Sequence, residues 1–330
     1  MTGPAKPTAP TPAPASTDSA LAGTSRGDQL FKWLLTLAAL IVPALLVALF
    51  LELARGSGLA VSKFGFSFLT NSTWDPVAGE FGAFPLIFGT LLTSFIALLL
   101  AVPLSLGVAI YLTEFAPQAI RKPVATVIEL LAAIPSVVYG LWGVFVLIPV
   151  LKASVFPALR GMFGFLPIFK GAIYGPSVLA ASLILTIMIM PFIMSVSRSV
   201  LLAVPNSQRE AALALGATRW EAVRTAIVPY ARSGIIGAII LGLGRALGET
   251  MAVTMLIGNR HDISASLFAP GYSMAAVIAN EFSEAATEMH ISSLTYVALL
   301  LFLVTVLVNA AARLLIWRVA RGAAIGSKAL

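Results

Sequence analysis

Between Glu80 and Glu114 the chain carries no charged side chain, and that stretch decides the solvent in which most of the molecule folds. Crossing a hydrocarbon core of about 30 Å takes about 20 apolar residues at about 1.5 Å each, and this run is longer. Comparable runs recur at 33–51, 130–151, about 174–200, 233–257 and 294–312. A segment inside lipid must satisfy its own backbone N–H and C=O groups, so the pattern predicts an all-α integral membrane protein with six transmembrane helices. In the charge-free stretch the helix is expected over about 86–112, with 81–85 in or near the interface and a kink at Pro103. Composition agrees: 59% of the residues are hydrophobic, 11% are charged and the mean hydropathy is +0.97, far from the soluble range.

Lys and Arg favour cytoplasmic loops. With the N-terminus inside, Arg121, Lys122, Arg198, Arg209, Arg219, Arg224, Arg232, Arg313 and the basic residues of both ends fall on the cytoplasmic side. Only Arg55, Lys63, Lys152, Arg160, Lys170 and Arg260 fall outside. Both termini are therefore expected in the cytoplasm, and the net charge of +7 belongs to these loops rather than to nucleic-acid binding. Residues 1–29, rich in Pro, Ala, Thr and Ser, read as a disordered cytoplasmic tail without the apolar core of a signal peptide. Residues 30–320 form the six-span domain and 321–330 a short C-terminal tail. The outer loop 258–291 carries Asp262, Glu281, Glu284 and Glu288, a composition suited to a docking surface.

Several chemistries are excluded. There is no cysteine, hence no disulfide and no thiolate metal site, and two histidines do not make a His-rich metal centre. No G-x-x-x-x-G-K-[ST] phosphate loop and no G-x-S-x-G elbow occurs. No cofactor is expected on this chain, and ATP hydrolysis with its Mg has to come from a partner.

The most polar island between apolar runs is 205–228. Ser207 with Glu210, and Thr218 with Glu221, each have the S/T-x-x-E spacing of a capping box, and Gly216 stands where a left-handed helix stop is needed. The spacing predicts a helix over 208–215, a glycine turn and a second helix. So short a helix is unstable alone in water, so its surface of Ala211, Ala212, Leu213 and Leu215 calls for a partner protein. Glu210-Ala211-Ala212, then Gly216, then Pro229 resembles the EAA loop of ABC importer permeases, which docks into the ATPase subunit. Ala226 and Val228 replace the Ile and Leu usual before the proline, with Ile227 between them. A DNA-binding helix-turn-helix carrying Arg209, Arg219 and Arg224 is disfavoured by the spans on both sides.

Arg245 lies thirteen residues from Arg232 and fifteen from Arg260, near the centre of the fifth run. An arginine there costs about 2.5–3.5 kcal/mol on insertion scales. Glu249, four residues on, is expected on the same helical face as its partner. An internal ion pair and a charged lining for a polar substrate both fit. Gly244 and Gly248 are spaced for helix packing, and no Rossmann fingerprint is present. Glu129 reads as an interfacial residue paired with Arg121 or Lys122.

The run 241–259, with Gly-Arg-Ala-Leu-Gly-Glu-Thr at its centre, resembles Pst-type phosphate-importer permeases of the PstC-like kind. Ser264–Phe268, Ala279–Phe282, 64–76, Thr113–Pro117 and Ala132–Gly140 extend the likeness over about 60–318. The resemblance implies a type I ABC importer permease core in the bacterial plasma membrane. It also implies a heterodimer with a second permease, two ATPase subunits and an extracytoplasmic phosphate-binding protein. Arg245 and Glu249 would then line the phosphate pathway, and Glu210, Ala211, Ala212, Leu213, Gly216 and Trp220 would couple to the ATPase. Open alternatives are an importer of another oxyanion such as molybdate or sulfate, and a stand-alone secondary transporter.

Overall fold

The computed structural model describes residues 26–326. By its internal contacts the chain divides at Glu52. In the first unit the residues from Arg26 onward belong to helix α1 (Arg26–Gly56), and residues 27–49 are exposed on every face. Of the expected tail 1–29, residues 1–25 lie outside the described residues, and 26–29 are helical rather than disordered.

The second unit opens with α2 (Gly58–Phe64), α3 (Ser67–Thr70) and a hairpin of β1 (Trp74–Asp75) with β2 (Glu80–Phe81). Helix α4 (Phe84–Ile110) begins with Pro85, tolerated in a first turn whose N–H groups have no intrahelical partner, and ends in a π turn, Tyr111–Phe115. Then come α5 (Gln118–Ala132) and α6 (Ser136–Trp142). Helix α6 continues through two π turns around α7 (Ile148–Val150) into α8 (Phe156–Phe163). Helix α9 (Val178–Leu202) is the most buried span, with 72% of its 18-residue apolar stretch enclosed. After it come α10 (Asn206–Ala214), α11 (Arg219–Ala222), a π turn and α12 (Val228–Leu247). The chain closes with α13 (Met251–Ile257), α14 (Met274–Glu281) and α15 (Glu288–Gly326). Among the described residues six helices are long and apolar enough to cross a membrane, as the charge-free runs predict.

Several boundaries differ from the sequence expectation. The third span is Ser136–Phe163, not 130–151. Pro135 lacks an N–H and disfavours α geometry in Ile134, so Leu130–Ala132 end the separate helix α5, whose Ala125 and Ile128 are buried. At the other end the helix continues past Lys152 and Arg160, so two of the three cations of 152–170 sit on a helix rather than in a loop. Residues 321–326 extend α15 rather than forming a tail. The fifth span is broken, with Gly248–Thr250 outside both α12 and α13.

Packing around α9 depends on small side chains. On α4, Gly89, Thr93, Ala97, Ala101, Ser105 and Ala109 recur every fourth residue and all are buried, forming a stripe that lets two backbones approach. Across it Ser105 Oγ donates to the Met190 carbonyl (3.0 Å) and Thr186 Oγ1 to the Ala97 carbonyl (3.4 Å). On α12 the close glycines are Gly234 and Gly242, where a Cβ would meet Val200 at 2.5 Å and Ile193 at 2.6 Å. The expected packing pair is not used in this way: Gly244 has only ordinary contact with Asn309 (3.7 Å), and Gly248 meets only its own helix.

Candidate functional site

The α12–α9 register sets the depth of Arg245. Gly234 faces Val200, Gly242 faces Ile193, and the guanidinium lies over the Phe192 ring at 5.8 Å. Phe192 is ten residues from the Leu202 end of α9 and fourteen from Val178. At about 1.5 Å per residue that places Arg245 close to mid-span. The side chain is half-buried. Tyr139 lines an apolar hollow of about 250 Å³ with Ile134, Val138, Trp142 and Ile187. The break at Pro135 lies within the 132–140 stretch that the resemblance singles out.

Glu249 does not pair with Arg245. Because α12 stops at Leu247, the rule that residues four apart share a helical face no longer applies. The carboxylate Oε1 instead accepts from the Ala252 N–H (3.3 Å) at the start of α13. Among the described residues no carboxylate lies within ion-pair distance of Arg245. Glu129 likewise pairs with neither Arg121 nor Lys122, and Arg121 Nε donates to the Ala116 carbonyl (3.0 Å).

The 205–228 segment has the predicted helix, glycine turn, helix order. Ser207 does not cap: α10 starts two residues earlier than expected, behind Pro205, and no side chain caps it. Thr218 and Glu221 form a complete capping box. The Thr218 N–H and hydroxyl both donate to Glu221 Oε2 (2.7 and 2.8 Å). Gly216 has φ +86°. Around it the Gly216 N–H bonds the Leu213 carbonyl (3.0 Å) and the Ala217 N–H the Ala212 carbonyl (3.1 Å), the paired bonds of a glycine C-cap. The π turn Val223–Ile227 sits where the EAA resemblance departs from pattern. No residue of α10 is buried. Glu210 and Ala211 are open, Ala212 is half-buried, and Leu213 (47%), Leu215 (90%) and Trp220 (59%) present bare apolar surface.

Two clusters escape sequence reading because their members are far apart in the chain. Where the second and fourth spans end, Arg209 meets Glu114, 3.1 Å away and 95 residues distant in sequence. On the opposite side Glu281 gathers three segments. The Trp74 Nε1–H donates to its Oε2 (2.8 Å) and His290 Nε2 lies 3.2 Å from the same oxygen. His261 Nε2 stands 3.6 Å from Oε1, with its ring stacked on Trp74. Burial holds the His261 imidazole below its usual pKa despite Glu281 and Asp262, and pushes the neighbouring Tyr272 hydroxyl up to about 12.

The class of the fold follows from comparison. A chain of a solved bacterial alginate ABC transporter, crystallised with its alginate pentasaccharide-bound periplasmic protein, matches with a TM-score of 0.56 at 18% identity, over 88% of this chain and 96% of that one. The architecture is that of a type I ABC importer permease. Residues 101–321 match the family of binding-protein-dependent transport system inner membrane components. The phosphate transport system permease protein PstC of Mesorhizobium japonicum is 48% identical over 296 residues, covering 88% of this chain and 90% of that protein. The PstC protein of Haemophilus influenzae is 47% identical over 293 residues, covering 88% and 93%. The chain belongs to the PstC family of binding-protein-dependent permeases.

Proposed function

We propose that this chain is one of two membrane subunits of an ATP-driven phosphate importer in the bacterial plasma membrane. Its identity of nearly one half to relatives named as phosphate permeases, over 88% of its length, carries the reading. In it, the open surface of Leu213, Leu215 and Trp220 meets an ATPase subunit, one of two. Arg245 supplies a fixed positive charge to an oxyanion in transit, with Glu249 lining the break beside it. A second permease completes the pathway, and an extracytoplasmic phosphate-binding protein docks on the acidic 258–291 loop. ATP-driven closure of the ATPase pair moves the spans only as far as its contacts differ between the two states.

The test is phosphate uptake into vesicles holding the chain with its second permease and ATPase, with the binding protein supplied outside. Uptake should require both ATP and the binding protein. Equal competition by molybdate or sulfate would assign a different oxyanion, and uptake without the ATPase would make the chain a secondary transporter.

Orientation has its own test on this naturally cysteine-free background. Ala214→Cys should react only with a reagent that reaches the cytoplasm, whereas Ser72→Cys and Ala286→Cys should react from outside. Labelling of position 214 from outside would invert the topology and end the importer reading.

A further inference from the structure

Helix α10 has nine residues, none of them buried, so apolar packing does not bind it to the spans it is meant to move. Its anchorage is polar. Arg209, in the middle of α10, uses all five guanidinium N–H donors. Nε donates to Glu114 Oε1 and Oε2 (3.3 and 3.4 Å). Nη2 donates to Glu114 Oε1 (3.1 Å) and the Leu201 carbonyl (2.8 Å). Nη1 donates to the Val204 carbonyl (2.5 Å) and Asn206 Oδ1 (3.3 Å). Both charged side chains are largely enclosed, at 19% and 13% exposure, so solvent screens them little. Among the described residues no other α10 side chain donates a hydrogen bond outside its own helix.

The partners lie on two different spans. Glu114 lies in the π turn that ends the second span. Leu201 ends the fourth, where carbonyls have no intrahelical partner and a cation suits the helix dipole. Those two spans are the pair joined by the small-residue stripe of α4. We infer that Arg209 is a positioning residue for transport: it makes the coupling helix one rigid piece with the inner ends of the second and fourth spans. A push on α10 then reaches both spans as a displacement instead of being lost in the open Gly216 turn. The inference rests on the reading that 205–228 meets the ATPase.

The experiment uses the complete reconstituted importer and measures phosphate moved per ATP hydrolysed. A disulfide between Leu213→Cys and a cysteine on the ATPase reports docking separately. Arg209→Lys keeps the charge but replaces the planar fork by a point donor; it should leave the cross-link intact while phosphate moved per ATP falls at least about tenfold. Glu114→Gln, a milder variant that leaves the bonds to the Leu201 and Val204 carbonyls in place, should fall in the same direction. A residue that only held the fold together would lower the amount of assembled complex and leave the ratio alone. An unchanged ratio in cross-linked Arg209→Lys and Arg209→Ala complexes overturns the inference while the docking reading stands. Absence of the cross-link in the chain with native Arg209 overturns both.

Discussion

Arg245→Gln is expected to cut phosphate transport about 10- to 150-fold, the range that loss of one charge-assisted contact of about 1.5–3 kcal/mol predicts. The complex should still assemble and still hydrolyse ATP in response to the loaded binding protein. A cation near mid-span is costly to insert, and the structure gives this one no carboxylate within ion-pair distance among the described residues. Its guanidinium lies over the Phe192 ring, which tolerates a cation but does not neutralise it. Glu249 spends its carboxylate on the Ala252 N–H, so Glu249→Gln should perturb the start of α13 and leave Arg245 as it is. The double change Arg245→Gln with Glu249→Gln is therefore expected to transport no better than Arg245→Gln alone. Recovery of uptake in the double variant would show that the two charges only balance each other, and would sink the pathway role. Arg245→Lys should fall between, retaining a point charge without the planar donors that suit an oxyanion.

Gly216→Val should abolish coupled uptake. At φ +86° a β-branched residue is a steric outlier, costing about 1–2 kcal/mol or more. The strain lies in the backbone alone, since nothing lies within 4 Å of a Cβ built there. The chain relieves it by leaving the left-handed conformation, which breaks the bonds to the Ala212 and Leu213 carbonyls and changes the angle at which α10 leaves the turn. ATP hydrolysis should then proceed without phosphate movement, and the affinity of the binding protein for phosphate should not change. Gly216→Asn separates conformation from bulk, because asparagine accepts left-handed geometry; it should keep most of the uptake. Normal uptake by the valine variant would refute a lever that depends on this turn.

The features legible in the sequence were those whose cause is local. Long apolar runs mark the six spans, and Thr218, Glu221 and Gly216 mark their cap and turn, because each acts within a few residues of itself. The stripe from Gly89 to Ala109 is equally local yet hard to read: its small residues are interleaved with large ones, and hydrophobicity alone does not separate them. Pro135 was visible too, but the apolar run on either side concealed a change from an amphipathic helix to a span. The break at Gly248–Thr250 could not be read. An arginine and a glutamate four apart look like a helical pair until the helix is known to stop between them. Arg209 with Glu114, and Glu281 with Trp74 and the two histidines, join residues from opposite parts of the chain, and no spacing rule reaches that far.

The Glu281 cluster constrains how such a chain opens. Glu281 accepts from the β-hairpin between the first and second spans and stands within hydrogen-bond reach of His290 at the start of α15, with His261 of the segment after α13 packed beside it. Ser292 ties α15 again to the Gly56 carbonyl (2.9 Å) and the Ala60 N–H (3.1 Å). With its rim laced together in this way, the chain cannot part down its own middle on that side without breaking several polar contacts in turn. In the proposed importer, where this side faces outward, an aperture then runs along a seam between this chain and the second permease, each wall swinging as a single leaf.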